Sequence, residues 1–337
     1  MKCKYILFFV ILFTGCQQKR AVQTSFYFWK TVYQNNAVEQ SYLKHFGSNK
    51  LFVRILDVDS DIDGKISPVA PVKFKDHIPK QLEIVPVVFI VNEVLKEISQ
   101  AEIKELAANI VQFVTVKVKQ AGKASYRELQ LDCDWTATTR ANYFQLLKEI
   151  KKQLGNNIIS STLRLHQLKN QEKSGIPPAD KVLLMCYNMG NLRKYGTQNS
   201  ILDVQELKKY AGQNLGYYPM PIDVALPLFS WAVVFRNRNY AGISKRLKLA
   251  NLQTGAQFSK MPHGLYRANT DLPEFGLYKN DEIRFEASKF EDIKQSAFYL
   301  DKHLSAKPLN LLFYHLDEQT LDNFKIHELE EIKYILH

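Results

Sequence analysis

LQLDCDWT, residues 129–136, is the stretch on which the fold turns. A β-strand alternates its faces at every residue, so Asp132 and Asp134 point one way while Leu131, Cys133 and Trp135 point the other. Burying unpaired carboxylates costs several kcal/mol, so the acidic face must hold partners, water or a ligand. Working outward from it, apolar, β-branched or aromatic runs recur at 26–33 (FYFWKTVY), 51–58, 83–91, 128–135, 158–165, 181–187, 222–234 and 309–316. Between most of them lie helix-period segments, at 37–46, 93–120, 139–154, 202–213 and 289–304, and 318–336 reads as a closing helix. Eight strands alternating with helices predict an α/β chain folded as a (β/α)8 TIM barrel.

Two segments depart from the repeat. Residues 60–82 are too proline-rich and polar for a long helix, so the second crossover is expected to be a loop. Residues 235–287 carry two more strand-like runs between turn residues and read as a small β insertion after the seventh strand, folded over the barrel mouth. At 46% hydrophobic, the chain has enough apolar content for one barrel of this size.

The first segment stands outside that pattern. MKCKYILFFVILFTGC has a short basic start, an apolar run from Tyr5 to Phe13 and then Thr14, Gly15 and Cys16, the layout of a secretory signal. A small residue directly before a cysteine resembles the lipobox of bacterial lipoproteins. That resemblance implies a cleaved signal over 1–15, an acylated Cys16 and a tether over 16–24, with the barrel filling 25–337. An uncleaved N-terminal anchor is the alternative. Either way the expected location is the cell envelope, on the periplasmic face or at the outer membrane.

The formal charge of +11 falls to +9 once Lys2 and Lys4 leave with the signal. The lysines are scattered through helical stretches with no dense basic block, which argues against nucleic acid and for a solvated basic surface near anionic lipid or acidic glycans. Cys133 and Cys186 fall on different strands beside inward-facing residues, so both are expected to face the outer layer as small buried apolar groups. The acids in DVDSDIDG, 57–64, lack the glutamate of a calcium loop. No spacing of histidines and acids suggests a metal, and none suggests a cofactor.

A barrel of this kind carries its site at the C-terminal ends of its strands. Those ends supply Trp29, Asp57, Asp59, Glu93, Asp132, Asp134, Arg164, His166, Tyr187, Asn188, Trp231, His315 and Asp317. Acids and aromatics together suit carbohydrate, whose CH faces stack on rings while its hydroxyls bond to carboxylates and amides. LDCDWT resembles the D-x-D-x-E fourth-strand motif of family 18 glycoside hydrolases, and LLMCYNMG resembles their sixth-strand M-x-Y-D segment. The resemblance implies a carboxylate array at Asp132 and Asp134, with Tyr187 and Asn188 holding substrate. It also places the family's acid/base glutamate at position 136, which is Thr136 here. A threonine hydroxyl cannot protonate a glycosidic oxygen near neutral pH. From about residue 25 onward the chain resembles a family of uncharacterised exported bacterial lipoproteins with a glycoside-hydrolase-like barrel, in FYFWKTVY, LFVRILDVD, LQLDCDWT, IISSTLRLHQL, KVLLMCYNMG and ALPLFSWAVVF.

The candidate catalytic groups are therefore Asp134, Asp132 and, as replacement acid from the neighbouring strand, Glu93, with Asp317 and Glu318 in reserve. Trp29, Tyr187, Asn188, Trp231, His315 and Asp317 are the candidate substrate contacts. Plain structural roles compete with several of these. Arg54, mid-strand in LFVRILDV, could meet Asp132 as a buried pair, Glu93 could simply complement a helix dipole, and the aromatics could be core. The function expected is a glycoside-hydrolase-like envelope lipoprotein acting on an oligosaccharide or polysaccharide. The alternatives are a barrel that binds glycan without cleaving it and a structural protein with no ligand.

Overall fold

A computed structural model describes residues 20–337. The signal at 1–15 and Cys16 lie outside the described residues. Eight parallel strands close on themselves: β1 (Val22–Phe28), β2 (Lys50–Ser60), β3 (Glu83–Ile90), β4 (Glu128–Cys133), β5 (Ile158–Arg164), β6 (Lys181–Met185), β7 (Ile222–Pro227) and β8 (Leu309–Tyr314). Each pairs with the next, and β8 and β2 both pair with β1, so the ring has no open edge. The predicted TIM barrel is the observed fold. Helices α1 (Ala37–His45), α2 (Gln100–Gln120), α3 (Arg140–Leu154), α4 (Leu165–Lys169), α5 (Val204–Ala211), α6 (Phe290–His303) and α7 (Ile326–Ile335) surround the ring.

Period-2 alternation sorts each strand between two cores. On β4 the outward Leu129, Leu131 and Cys133 are fully buried against the helical layer, where the Tyr143 hydroxyl of α3 reaches the Leu131 carbonyl and Ser161. Cys186 is likewise buried on the outer side, and neither cysteine is bonded to another. Inward-facing Tyr27, Phe52, Val85, Val87, Leu183 and Leu312 form a separate cluster at mid-height in the barrel. Beneath it lies an ionic layer. Glu128, with no exposure, lies 3.1 Å from both Lys50 and Lys181 and accepts from Ser160 Oγ at 2.8 Å, while Lys181 continues to Asp223 at 2.8 Å. Burial alone would raise the Glu128 carboxyl, but the two ammonium groups outweigh it and hold it below its ordinary value.

The second crossover contains no long helix. Residues Ile66–Val69 turn back as an antiparallel strand on the end of β2. The β insertion is a five-stranded antiparallel sheet running from Ser230 to Ala287. Its first strand, Ser230–Arg236, begins inside the run 222–234 that reads as one strand in the sequence. The chain leaves β7 at Pro227 and bends through Leu228 and Phe229, which carries Trp231 into the insertion rather than to the end of β7. The stretch 93–120 also divides, into a short turn at Asn92–Leu95 and α2, because Ser99 and Glu102 form a capping box that starts the helix there.

Candidate functional site

The barrel interior becomes polar again at the mouth. Along β4 the inward positions are Glu128, Gln130 and Asp132, followed just beyond the strand by Asp134, so every residue on this face is polar. In β5 the matching residues are Ser160, Thr162 and Arg164, and the register Leu131↔Ser161 sets the two rows side by side. Thr162 Oγ1 donates to Asp132 Oδ1 at 2.7 Å, and Arg164 grips Asp134 with two nitrogens, Nε and Nη2, the latter 2.6 Å from Oδ2. Asp132 is 7% exposed. Burial first, and then the Asp134 charge beside it, push its carboxyl up to about 6. Asp134 is more open, its side chain 41% exposed against 20% for Arg164.

Above this floor stands a run of aromatic rings. Trp29 lies 5.6 Å from Tyr314 between ring centres, Tyr314 lies 5.2 Å from Tyr187 and 5.5 Å from Phe229, and Phe229 lies 5.1 Å from Trp231. Tyr187 is buried, whereas Trp29, Tyr314, Phe229 and Trp231 keep part of their surface open. Below them the Tyr27 hydroxyl donates to Gln130 Oε1 and fills the centre. Asn188 is exposed and sits in the left-handed region, at φ 54°, its backbone N–H donating to the Ile201 carbonyl at 2.8 Å. The Trp231 indole donates to Glu286 at 2.9 Å. Glu286 also accepts from the Ser200 amide and from Arg284, fastening the loop after β6 to the insertion.

Other candidates fall elsewhere. Arg54 does not pair with Asp132. A bulge between Arg54 and Leu56 puts an extra residue into β2, turns Arg54 and Asp57 to the same side and lets them form a two-nitrogen ion pair. Glu93 is 70% exposed and bonded to Lys96 at 2.6 Å. It lines a groove of about 640 Å³ between α2, the outer face of β2 and the Ile66–Val69 strand, among Leu56, Val58 and Phe113, with no bond to either aspartate. The outward parity of its groove neighbours explains why a strand-end acid one neighbour away misses the barrel axis. Asp317 lies 3.4 Å from Lys30, which also holds Glu39. The His315 Nδ1 is buried without a partner, and burial lowers its ring to about 4. Thr136 is exposed and bonded to Thr138 and Thr139, closing the turn that leads into α3.

Sequence reasoning missed Thr162, Tyr314, Phe229 and the role of Arg164. The parity of Ser160, Thr162 and Arg164, matched to that of Gln130, Asp132 and Asp134 on the preceding strand, was the available signal.

No family model and no curated protein sequence matches the chain. Solved structures do. The spore cortex-lytic enzyme SleL of Bacillus cereus aligns with a TM-score of 0.53 at 16% identity, over 93% of this chain and 75% of that one. The Group IV chitinase of Ostrinia furnacalis, solved in complex with allosamidin, gives 0.53 at 10% identity over 94% and 99%. A fungal endo-β-N-acetylglucosaminidase of glycosyl hydrolase family 18 gives 0.50 at 10% over 94% and 98%. The likeness is one of fold: this chain has the closed (β/α)8 barrel that these structures share.

Proposed function

We propose that the protein is an envelope carbohydrate-binding barrel that holds an oligosaccharide or polysaccharide at its mouth and does not hydrolyse it. The observation that carries this reading is the Asp134–Arg164 pair, partly open to solvent, beside the partly exposed rings Trp29, Tyr314 and Phe229. Rings supply stacking surface for sugar CH faces, and an ion pair at the floor supplies donors and acceptors for hydroxyls.

Cleavage needs two carboxyls flanking the scissile bond, roughly 5 to 9.5 Å apart, one of them able to give a proton. Asp132, on β4, and Asp134, just past its end, lie two residues apart on one face, and Asp132 is buried beside its more open neighbour. Thr136 replaces the glutamate that the family 18 resemblance implies, and Glu93 is turned into the outer groove. What favours the hydrolytic alternative is the burial of Asp132 beside the Asp134 charge, which pushes its carboxyl up to about 6 and lets it keep its proton to higher pH than an open aspartate.

Titration calorimetry of the protein starting at Gln17 against chitin oligomers, peptidoglycan fragments and other envelope glycans, with product analysis in the same samples, separates the two. Binding with no new reducing ends is expected. Turnover that Asp134→Asn abolishes would establish the hydrolase instead. The lipid anchor belongs to the same proposal. Labelled palmitate should enter the wild-type chain in cells and not the Cys16→Ser variant, and equal labelling of both refutes acylation at that residue.

A further inference from the structure

We propose that the base of the barrel, opposite the mouth, is a membrane-docking face for a bilayer of anionic phospholipid. In this fold the C-termini of the outer helices and the loops entering the strands all lie at the base. Lys44, Lys119, Lys302 and Lys333 occupy the ends of α1, α2, α6 and α7, and Arg127 and Lys307 sit in the loops entering β4 and β8. None of these six forms an ion pair among the described residues. Of the acids on the same face, Asp180 pairs with Lys151, Asp301 with Arg20 and Glu330 with His45, while Glu83, at the start of β3, has no ion-pair partner among the described residues. Lysines at helix ends also complement the helix dipole. That accounts for neither the two loop residues nor the aromatics beside them.

Those aromatics are Tyr217, 81% exposed in the loop entering β7, and Tyr334, 70% exposed in the last turn of α7. Both belong to the sector where the chain enters the barrel: the Arg20 amide donates to the His337 carbonyl at 2.6 Å, its side chain reaches Leu304, Ser305 and Leu336, and Gly216 and Tyr218, either side of Tyr217, line one cavity with Arg20. Tyrosine favours the headgroup level of a bilayer, with its ring towards the acyl chains and its hydroxyl in water, and each lysine near an anionic surface adds electrostatic attraction. Cys16 precedes Arg20 by four residues, a reach of at most about 14 Å, so a lipid there holds this same sector against the membrane. The mouth then points away from the bilayer.

This inference deepens the envelope reading and rests on it for the presence of a membrane. Vesicles supply the membrane in the test, and the protein used starts at Gln17, so acylation plays no part. Residues 20–337 contain the closed ring and its surrounding core, so that protein keeps the fold. Co-sedimentation would be measured with vesicles of phosphatidylcholine alone and with 30% phosphatidylglycerol. The wild type should bind the anionic vesicles at least about tenfold more tightly. Lys302→Glu with Lys307→Glu should remove that preference. Tyr217→Ser with Tyr334→Ser should weaken binding several-fold while leaving the melting temperature unchanged. Lys65→Glu with Lys104→Glu, the same charge change on the mouth side, should alter binding less than twofold. Equal losses from base and mouth variants, or no binding of the wild type to anionic vesicles, overturn the proposal.

Discussion

Replacing Asp132 with asparagine should make the protein more stable at pH 8 and remove part of its pH dependence. The Asp132 carboxyl rises from 3.8 to about 6 because it is buried beside the Asp134 charge. The folded state therefore holds this proton more tightly than the open chain does. The stabilising contribution is complete below pH 3.8 and is lost as pH climbs through 6. At about 1.4 kcal/mol for each tenfold change in proton affinity, ionisation in the fold costs about 3 kcal/mol more than in the unfolded chain. Asparagine keeps an oxygen acceptor for the Thr162 hydroxyl but brings an amide that needs a partner, an offset of about 1 kcal/mol. Urea unfolding at pH 4, 6 and 8 should then show Asp132→Asn gaining about 1 to 2 kcal/mol at pH 8, with the advantage vanishing towards pH 4. Titrating groups distant from Asp132 are common to both proteins and cancel in the difference. A variant that is equally destabilised at all three values refutes the placement of a buried, proton-holding carboxyl at the mouth. A wild-type barrel that tolerates this cost is one in which a bound hydroxyl donor could offset it.

Further outcomes follow from the same geometry. Glu128→Ala leaves Lys50 and Lys181 facing each other in the barrel base without their shared partner and should cost about 3 to 5 kcal/mol in urea unfolding, a loss under 1 kcal/mol contradicting the buried network. Arg164→Met should cost only about 1 kcal/mol of stability, since both partners of its ion pair are partly solvated, yet should weaken glycan binding tenfold or more by calorimetry. His315 should stay neutral down to about pH 4 in an NMR titration, because burial opposes its charged form, and a midpoint near 6.5 would show its ring to be freely hydrated.

The barrel was legible because it rests on repetition: eight apolar runs alternating with helix-period segments admit few other arrangements. The insertion was legible for a similar reason, though its start was not. Phe229 and Trp231 continue the apolar character of β7 without a break, and only the bend after Pro227 divides them. The aspartates could be assigned to one face by parity alone. Their partners depended on register between neighbouring strands, which a linear pattern does not display, and so Arg164 went unmatched with Asp134. The Arg54 pairing failed on a bulge that reverses parity within β2. Glu93 failed because its strand had already ended and a short turn had rotated it outward. Site assembly here is set by single-residue irregularities, to which the hydrophobic pattern is blind.

The most direct test of a glycan held at the mouth is a crystal structure of the protein with the tightest-binding oligosaccharide from the calorimetric panel. Sugar density over Asp134 and Arg164, stacked against Trp29 or Tyr314 with every glycosidic bond intact, is the predicted result. A sugar seated in the groove beside α2, or one cleaved at the aspartates, would contradict it.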